Sequence, residues 1–348
     1  MARRLLWASL AVAPVTLLLD VVASPGKVAL FVLSAASLVP LAWLIGESTE
    51  QTAEHTGPGI GGFLNATFGN APELIIALIA ISDALPNVVR GSIAGSVVSN
   101  ILLVLGAAMI FGGDDRLDRD SLLFQLALVA GAVALFLVPS IPGFHGDSER
   151  HALALATIPS AVVLLVAYVA YTVWSLRRHH QRHAESGAEA GAGSWNLSLA
   201  LAVLCVATTA TALVSEVMVH SLHAFADAAG LSEFFIAAVI VAIVGNAAEH
   251  GGAVVIARRG KMRLATEIAI SSSAQVALFV APAVALLSFL FAHALPLAFR
   301  WEELVAMAGA ALFVAFVIRD GRSTRPEGFL LVGIYAAVVV WFLFAGDR

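Results

Sequence analysis

Two five-residue stretches constrain this chain more than anything else in it: Gly69-Asn70-Ala71-Pro72-Glu73 and Gly245-Asn246-Ala247-Ala248-Glu249. They agree at four of five positions, and each lies inside a membrane-length apolar run, from Gly59 to Pro86 and from Leu231 to Arg258. A carboxylate near the middle of such a run costs roughly 2.5–3.5 kcal/mol on insertion scales, so it needs a reason to be there. The same acid, twice, behind the same Gly-Asn pair, predicts one site built from two halves. The rest of the chain then serves to bring Glu73 and Glu249 together.

The apolar runs themselves decide the fold class. Of 348 residues 60% are hydrophobic and only 12% charged, with a mean hydropathy of +0.92. That excludes a soluble globular domain and predicts an all-α polytopic membrane protein. Polar and Gly/Pro punctuation divides the runs into about 11 transmembrane helices, near 5–23, 27–46, 59–85, 87–112, 121–139, 151–176, 195–222, 231–258, 263–291, 300–319 and 326–346. The first run follows Arg3 and Arg4 as a signal peptide would, but it is long enough to span, so it reads as a helix. The single Cys205 lies in an apolar run and excludes an intramolecular disulfide or a multi-cysteine metal site.

Basic residues test that count. If the N-terminus lies on one side and every run crosses, 14 of the 19 Lys and Arg collect on that side: Arg3, Arg4, Arg116, Arg119, Arg177, Arg178, Arg182, Arg258, Arg259, Lys261, Arg263, Arg319, Arg322 and Arg325. Only Lys27, Arg90, Arg150, Arg300 and Arg348 fall opposite. The positive-inside rule then puts the N-terminus in the cytoplasm and the C-terminus outside. Seventeen Arg against two Lys, with many Ala, points to a GC-rich prokaryote and so to its plasma (inner) membrane.

With that topology the two motifs run antiparallel. The chain divides into an N-terminal helix (1–26), five helices (27–176), a cytoplasmic linker (177–194) and five helices of opposite orientation (195–348). Such inverted repeats are the build of secondary transporters, with their site near the midplane between the halves. Glu47 and Glu216 are related in the same way, preceded by Leu-Ile-Gly and Leu-Val-Ser. Ser96 and Asn100, and Ser271 and Gln275, are polar pairs at i, i+4, each on one helix face. Asn100 follows Glu73 by 27 residues and Gln275 follows Glu249 by 26. In the linker, His179, His180 and His183 could bind metal or sense pH, but a solvated tether explains them as well.

Two carboxylates with neutral oxygens from Asn, Gln, Ser and backbone carbonyls suit a hard cation such as calcium, which takes six to eight oxygens at about 2.3–2.6 Å. Pro72, Gly69 and Gly245 favour a helix break or a close approach that would turn carbonyls toward the ion. No Cys or Met lines the motifs and His250 is a lone imidazole, which disfavours soft metals. Once the ion leaves, repulsion and desolvation favour protonation of the paired acids, so protons and ion would compete for one site.

These residues resemble the cation/proton exchanger branch of the calcium:cation antiporter superfamily. The likeness rests on the two motifs, with His250 closing the second. It also rests on Gly95-Ser96-Val97-Val98-Ser99-Asn100 with Leu102-Leu103-Val104-Leu105-Gly106, and on Ser272-Ser273-Ala274-Gln275 running to Pro282. The resemblance implies eleven helices, the first outside two five-helix repeats, and exchange of cytosolic calcium for external protons. It places the coordinating acids on Glu73 and Glu249, the metal ligands of this site. The flanking polar residues fall on Asn70, Asn246, Ser96, Asn100 and Gln275, with Gly69, Gly245, Ser271 and Ser272 beside them.

Arg90 and Glu267 stand where eukaryotic members usually carry Gln and Gly. Arg90 reads as a gate or an anchor for an outer carboxylate such as Asp83 or Glu216, and Glu267 as a relay acid on the cytoplasmic approach; both also read as hydrated or paired charges at the membrane boundary. His250 is a proton relay or a packing residue, and Ser96 and Ser271 are ligands or small residues at a helix contact. The expected partners are calcium, protons and the lipid bilayer, with no cofactor, no nucleic acid and no enzymatic activity; a homo-oligomer is left open. The rival within transport is proton-coupled sodium or potassium antiport. A zinc hydrolase at Glu249-His250 would want a second His one turn away, and positions 245, 246, 253 and 254 are Gly, Asn, Ala and Val.

Overall fold

The computed structural model describes residues 2–23, 25–143, 150–183, 195–292 and 294–345, the side chains of 2–4, 57–63, 65, 66, 142, 143, 150–152 and 175–183 excepted. The described chain is helical almost throughout. It opens with α1 (Ala2–Ser9), α2 (Val12–Val22), α3 (Lys27–Phe68), α4 (Ala71–Ser82), α5 (Pro86–Val98) and α6 (Leu105–Gly112). A two-stranded ribbon pairs β1 (Asp115–Arg116) antiparallel with β2 (Arg322–Ser323). Then follow α7 (Arg119–Gly143), α8 (Arg150–His183), α9 (Leu197–Ala229), α10 (Glu233–Ile236), α11 (Ala242–Gly245), α12 (Ala247–Arg258), α13 (Met262–Gln275), α14 (Ala281–Leu287), α15 (Trp301–Val317) and α16 (Arg325–Ala345).

Among the described residues nine helices are long and apolar enough to cross a membrane. A tenth span arises if the pair Glu233–Gly245 and Ala247–Arg258, bent by 58°, is taken as one. The eleventh, expected at 59–85, is not a helix of its own. Its first part continues α3, which runs unbroken for 42 residues, and its second part is the 12-residue α4. The polar stretch after Gly46 is helical, and its hydroxyls find their partners within the helix: Ser48 bonds to the Leu44 carbonyl, Thr49 to Ile45 and Thr52 to Ser48, each at 2.7 Å. The expected linker is helical as far as His183; 184–194, and the side chains of His179, His180 and His183, lie outside the described residues.

Two local features recur in both halves of the chain. Each motif breaks its helix at the asparagine, with φ −97°, ψ 12° at Asn70 and φ −91°, ψ 13° at Asn246. Each break opens a 12-residue helix, α4 or α12, that carries its glutamate in the first turn. Each of these ends in a turn with positive φ, at Ala84 (59°) and Gly260 (74°). The next helix in each half then passes through a π-helical stretch, Ser99–Val104 after α5 and Val276–Val280 after α13. A third π-helical stretch, Ala237–Val241, lies between α10 and α11. Such bulges widen a helix and free backbone groups, and they gather at functional positions.

The core lies where α5 and its π-helical extension, wholly buried from Ile93 to Leu102, meet α13 and the α10–α11 segment. The fit there is backbone to backbone. A Cβ at Gly95 would overlap the Ala238 carbonyl oxygen, and one at Gly91 would sit 2.8 Å from the Phe234 oxygen. Gly91 and Gly95, one helical turn apart, make the close crossing that small residues permit within a membrane.

Candidate functional site

The two helix breaks face each other, and their side chains cross between the halves. Asn70 donates through Nδ2 to Gln275 Oε1 (2.7 Å). Asn246 donates through Nδ2 to Ser96 Oγ (2.8 Å) and to the Ala242 carbonyl four residues back (2.8 Å). Asn100 donates to Asn246 Oδ1 (3.2 Å) and to Ser272 Oγ (3.0 Å), while its own Oδ1 lies 2.9 Å from His250 Nε2. The Ser272 hydroxyl donates to Glu249. Asn70, Ser96, Asn100, Asn246 and Ser272 are all buried. Buried polar groups bonded in this way hold their geometry, because each lost bond leaves a desolvated partner behind.

Glu73 completes the arrangement without joining the network. It lies against the second motif, so that a Cβ at Gly245 would sit 3.3 Å from Glu73 Oε1. Its other oxygen, Oε2, is buried with no hydrogen-bond partner among the described residues, and the charge of Glu249 bears on it. A buried carboxylate oxygen without a donor, beside a second acid, is the place where a cation or a proton would bind. Gly69 is the turn residue before Asn70, and both glutamates keep partial exposure.

The remaining expected residues sit around this centre. Ser271 hydrogen-bonds the Ile268 carbonyl of its own helix at 3.3 Å, and the network passes through Ser272 instead. Glu267, Ser271 and Gln275 form one half-buried stripe along α13, with Glu267 facing Tyr171 of α8. Glu47 is half-buried on α3 beside Glu50, and Glu216 is exposed on α9. Asp83 pairs with His220 at 3.1 Å, and other contacts are seen for Arg90. Arg90 donates to the Ala298 carbonyl (2.9 Å) and to Asn87 Oδ1 (2.6 Å), in the field of Glu303. Glu303 escaped the sequence reading. It is wholly buried and its Oε2 accepts from the Arg300 amide at 3.0 Å; an acid three residues into an apolar run was the available signal.

An all-helical membrane bundle whose halves contribute matching helix breaks to one buried polar centre defines the class of ion-exchanging secondary transporters. Residues 26–177 and 199–344 match the sodium/calcium exchanger protein family, and the chain belongs to it, in its cation/proton exchanger branch. The chain is 36% identical to the Ca(2+)/H(+) antiporter ChaA of Bacillus subtilis, over 90% of this chain and 91% of that one. It is 34% identical to vacuolar cation/proton exchanger 3 of Arabidopsis thaliana, over 91% and 74%. The solved structure of native YfkE superposes with a TM-score of 0.83 at 32% identity, covering 97% of this chain and 99% of the other. An H+/Ca2+ exchanger named CAX, at 16% identity and a TM-score of 0.76, shares the fold.

Proposed function

We propose that the protein is a proton-coupled antiporter that exports cytosolic calcium in exchange for protons, with Glu73 and Glu249 holding the ion and the protons in turn. The observation that carries this reading is the pairing of an undonated carboxylate oxygen on Glu73 with a second acid, Glu249, across two matching helix breaks. Two carboxylates with amide, hydroxyl and backbone oxygens nearby offer a hard divalent ion enough ligands, and the same oxygens take protons when it leaves. The names of the relatives agree with that cargo.

In this reading the chain is two inverted five-helix units that rock about the site, giving access from each side alternately. The cytoplasmic face carries the ribbon of Asp115–Arg116 with Arg322–Ser323, where Arg263 Nε also reaches the Arg116 carbonyl; Arg90 and Arg300 gather around Glu303 at the other end. That grouping supports the side assignment from the basic residues, with the N-terminus inside a prokaryotic plasma membrane. The test is calcium uptake into inverted vesicles under an imposed proton gradient. Uptake should collapse with the gradient and compete with no excess of sodium. Sodium-driven proton flux indifferent to calcium would replace this function with monovalent exchange.

A further inference from the structure

We propose that Asn100 is a positioning residue rather than a ligand of the ion, and that one backbone carbonyl, Ala242, sets the direction of the whole network. Asn246 Nδ2 lies 2.8 Å from the Ala242 oxygen. A carbonyl can only accept, so the amide nitrogen of Asn246 must face it, and Asn246 Oδ1 must face Asn100 at 3.2 Å. That oxygen also only accepts, so Asn100 turns its Nδ2 toward it and sends its second N–H to Ser272 Oγ, 3.0 Å away.

Two consequences follow at the ends of the chain of bonds. Asn100 Oδ1 is left facing His250 Nε2 at 2.9 Å, so in neutral His250 the ring proton sits on Nε2 and Nδ1 is the bare nitrogen. Ser272, already accepting from Asn100, has its own hydroxyl proton free to point at Glu249 Oε2. Asn100 is thereby committed: its oxygen accepts from His250 and both its N–H groups go to the second half of the chain. It holds Ser272 as a donor to Glu249 and His250 in one tautomer, and that is the role the bonds assign to it.

The inference rests on reading Glu249 as half of the exchange site, but its first test needs no transport. Nitrogen-15 spectra of the full-length protein labelled at histidine, with the His250 signals assigned by difference against His250→Gln, should show neutral His250 protonated at Nε2. Protonation at Nδ1 would overturn the proposal, whatever ion is carried. The second test is Asn100→Asp, which keeps an oxygen for His250 but puts a lone pair where both N–H donors stood. Vesicle transport should fall at least tenfold, whereas a ligand role predicts that the added carboxylate preserves or strengthens calcium binding. Transport within twofold of wild type would overturn the positioning role.

Discussion

Asn70 Nδ2 and Gln275 Oε1 are 2.7 Å apart, although 205 residues separate them in the chain. This bond joins the first helix break to the last residue of α13 in the other half, just before its π-helical stretch, so it fixes the distance between the halves beside Glu73. Asn70→Ala and Gln275→Ala should each destabilise the protein, and the double variant should lose little more than either. A double-mutant cycle on thermal unfolding in detergent should return a coupling of about 0.5–1.5 kcal/mol. Strict additivity would mean the bond contributes nothing.

Gly95 and Gly245 predict different failures. A Cβ at Gly95 would strike the Ala238 backbone, which cannot give without moving a helix, so Gly95→Ala should cut the yield of folded protein. At Gly245 the nearest obstacle is the tip of Glu73, 3.3 Å away. Gly245→Ala should fold and lose transport. Gly46→Ala, where the Cβ would meet nothing within 4 Å, is the neutral control. Size-exclusion profiles and vesicle uptake on the three variants read the contrast.

Ala84 holds a φ of 59° where its counterpart in the second half is Gly260. A left-handed alanine is strained, and glycine takes that conformation freely. Ala84→Gly should therefore raise stability by about 0.5–1 kcal/mol after the entropic cost of glycine, and Gly260→Ala should lower it. Thermal unfolding of both variants checks the signs.

Protons and calcium should compete on the side from which the ion binds. A protonated carboxylate cannot ligate, so acidifying that side weakens calcium binding by about tenfold per pH unit for each proton that must leave. Calcium titrations in open membrane fragments should show a midpoint that rises as pH falls. A midpoint flat from pH 8 to pH 6 would remove proton competition from the mechanism.

Much of this centre was legible in the sequence, because a duplicated acid in an apolar run has few structural excuses and i, i+4 spacing places Ser96 with Asn100 on one face. Other parts were hidden for specific reasons. The stretch from Glu47 to Thr56 looks like a loop by polarity, yet its hydroxyls bond back to the preceding turn and α3 runs through. Periodicity favoured Ser271 over Ser272, because i, i+4 spacing pairs Ser271 with Gln275, whereas the bond that Asn100 makes across the halves reaches the next residue, Ser272. Glu303 carries no repeat or motif that marks it in the sequence, and only packing shows it buried near Arg90.

The central claim is that one pair of acids holds either calcium or protons. The direct measurement is proton release on adding calcium to the purified protein in weakly buffered detergent, for the wild type, Glu73→Gln and Glu249→Gln. Calcium should bind the wild type with release of protons, and both binding and release should be lost in either variant. Calcium binding without proton release, or undiminished binding in either variant, would contradict the shared site.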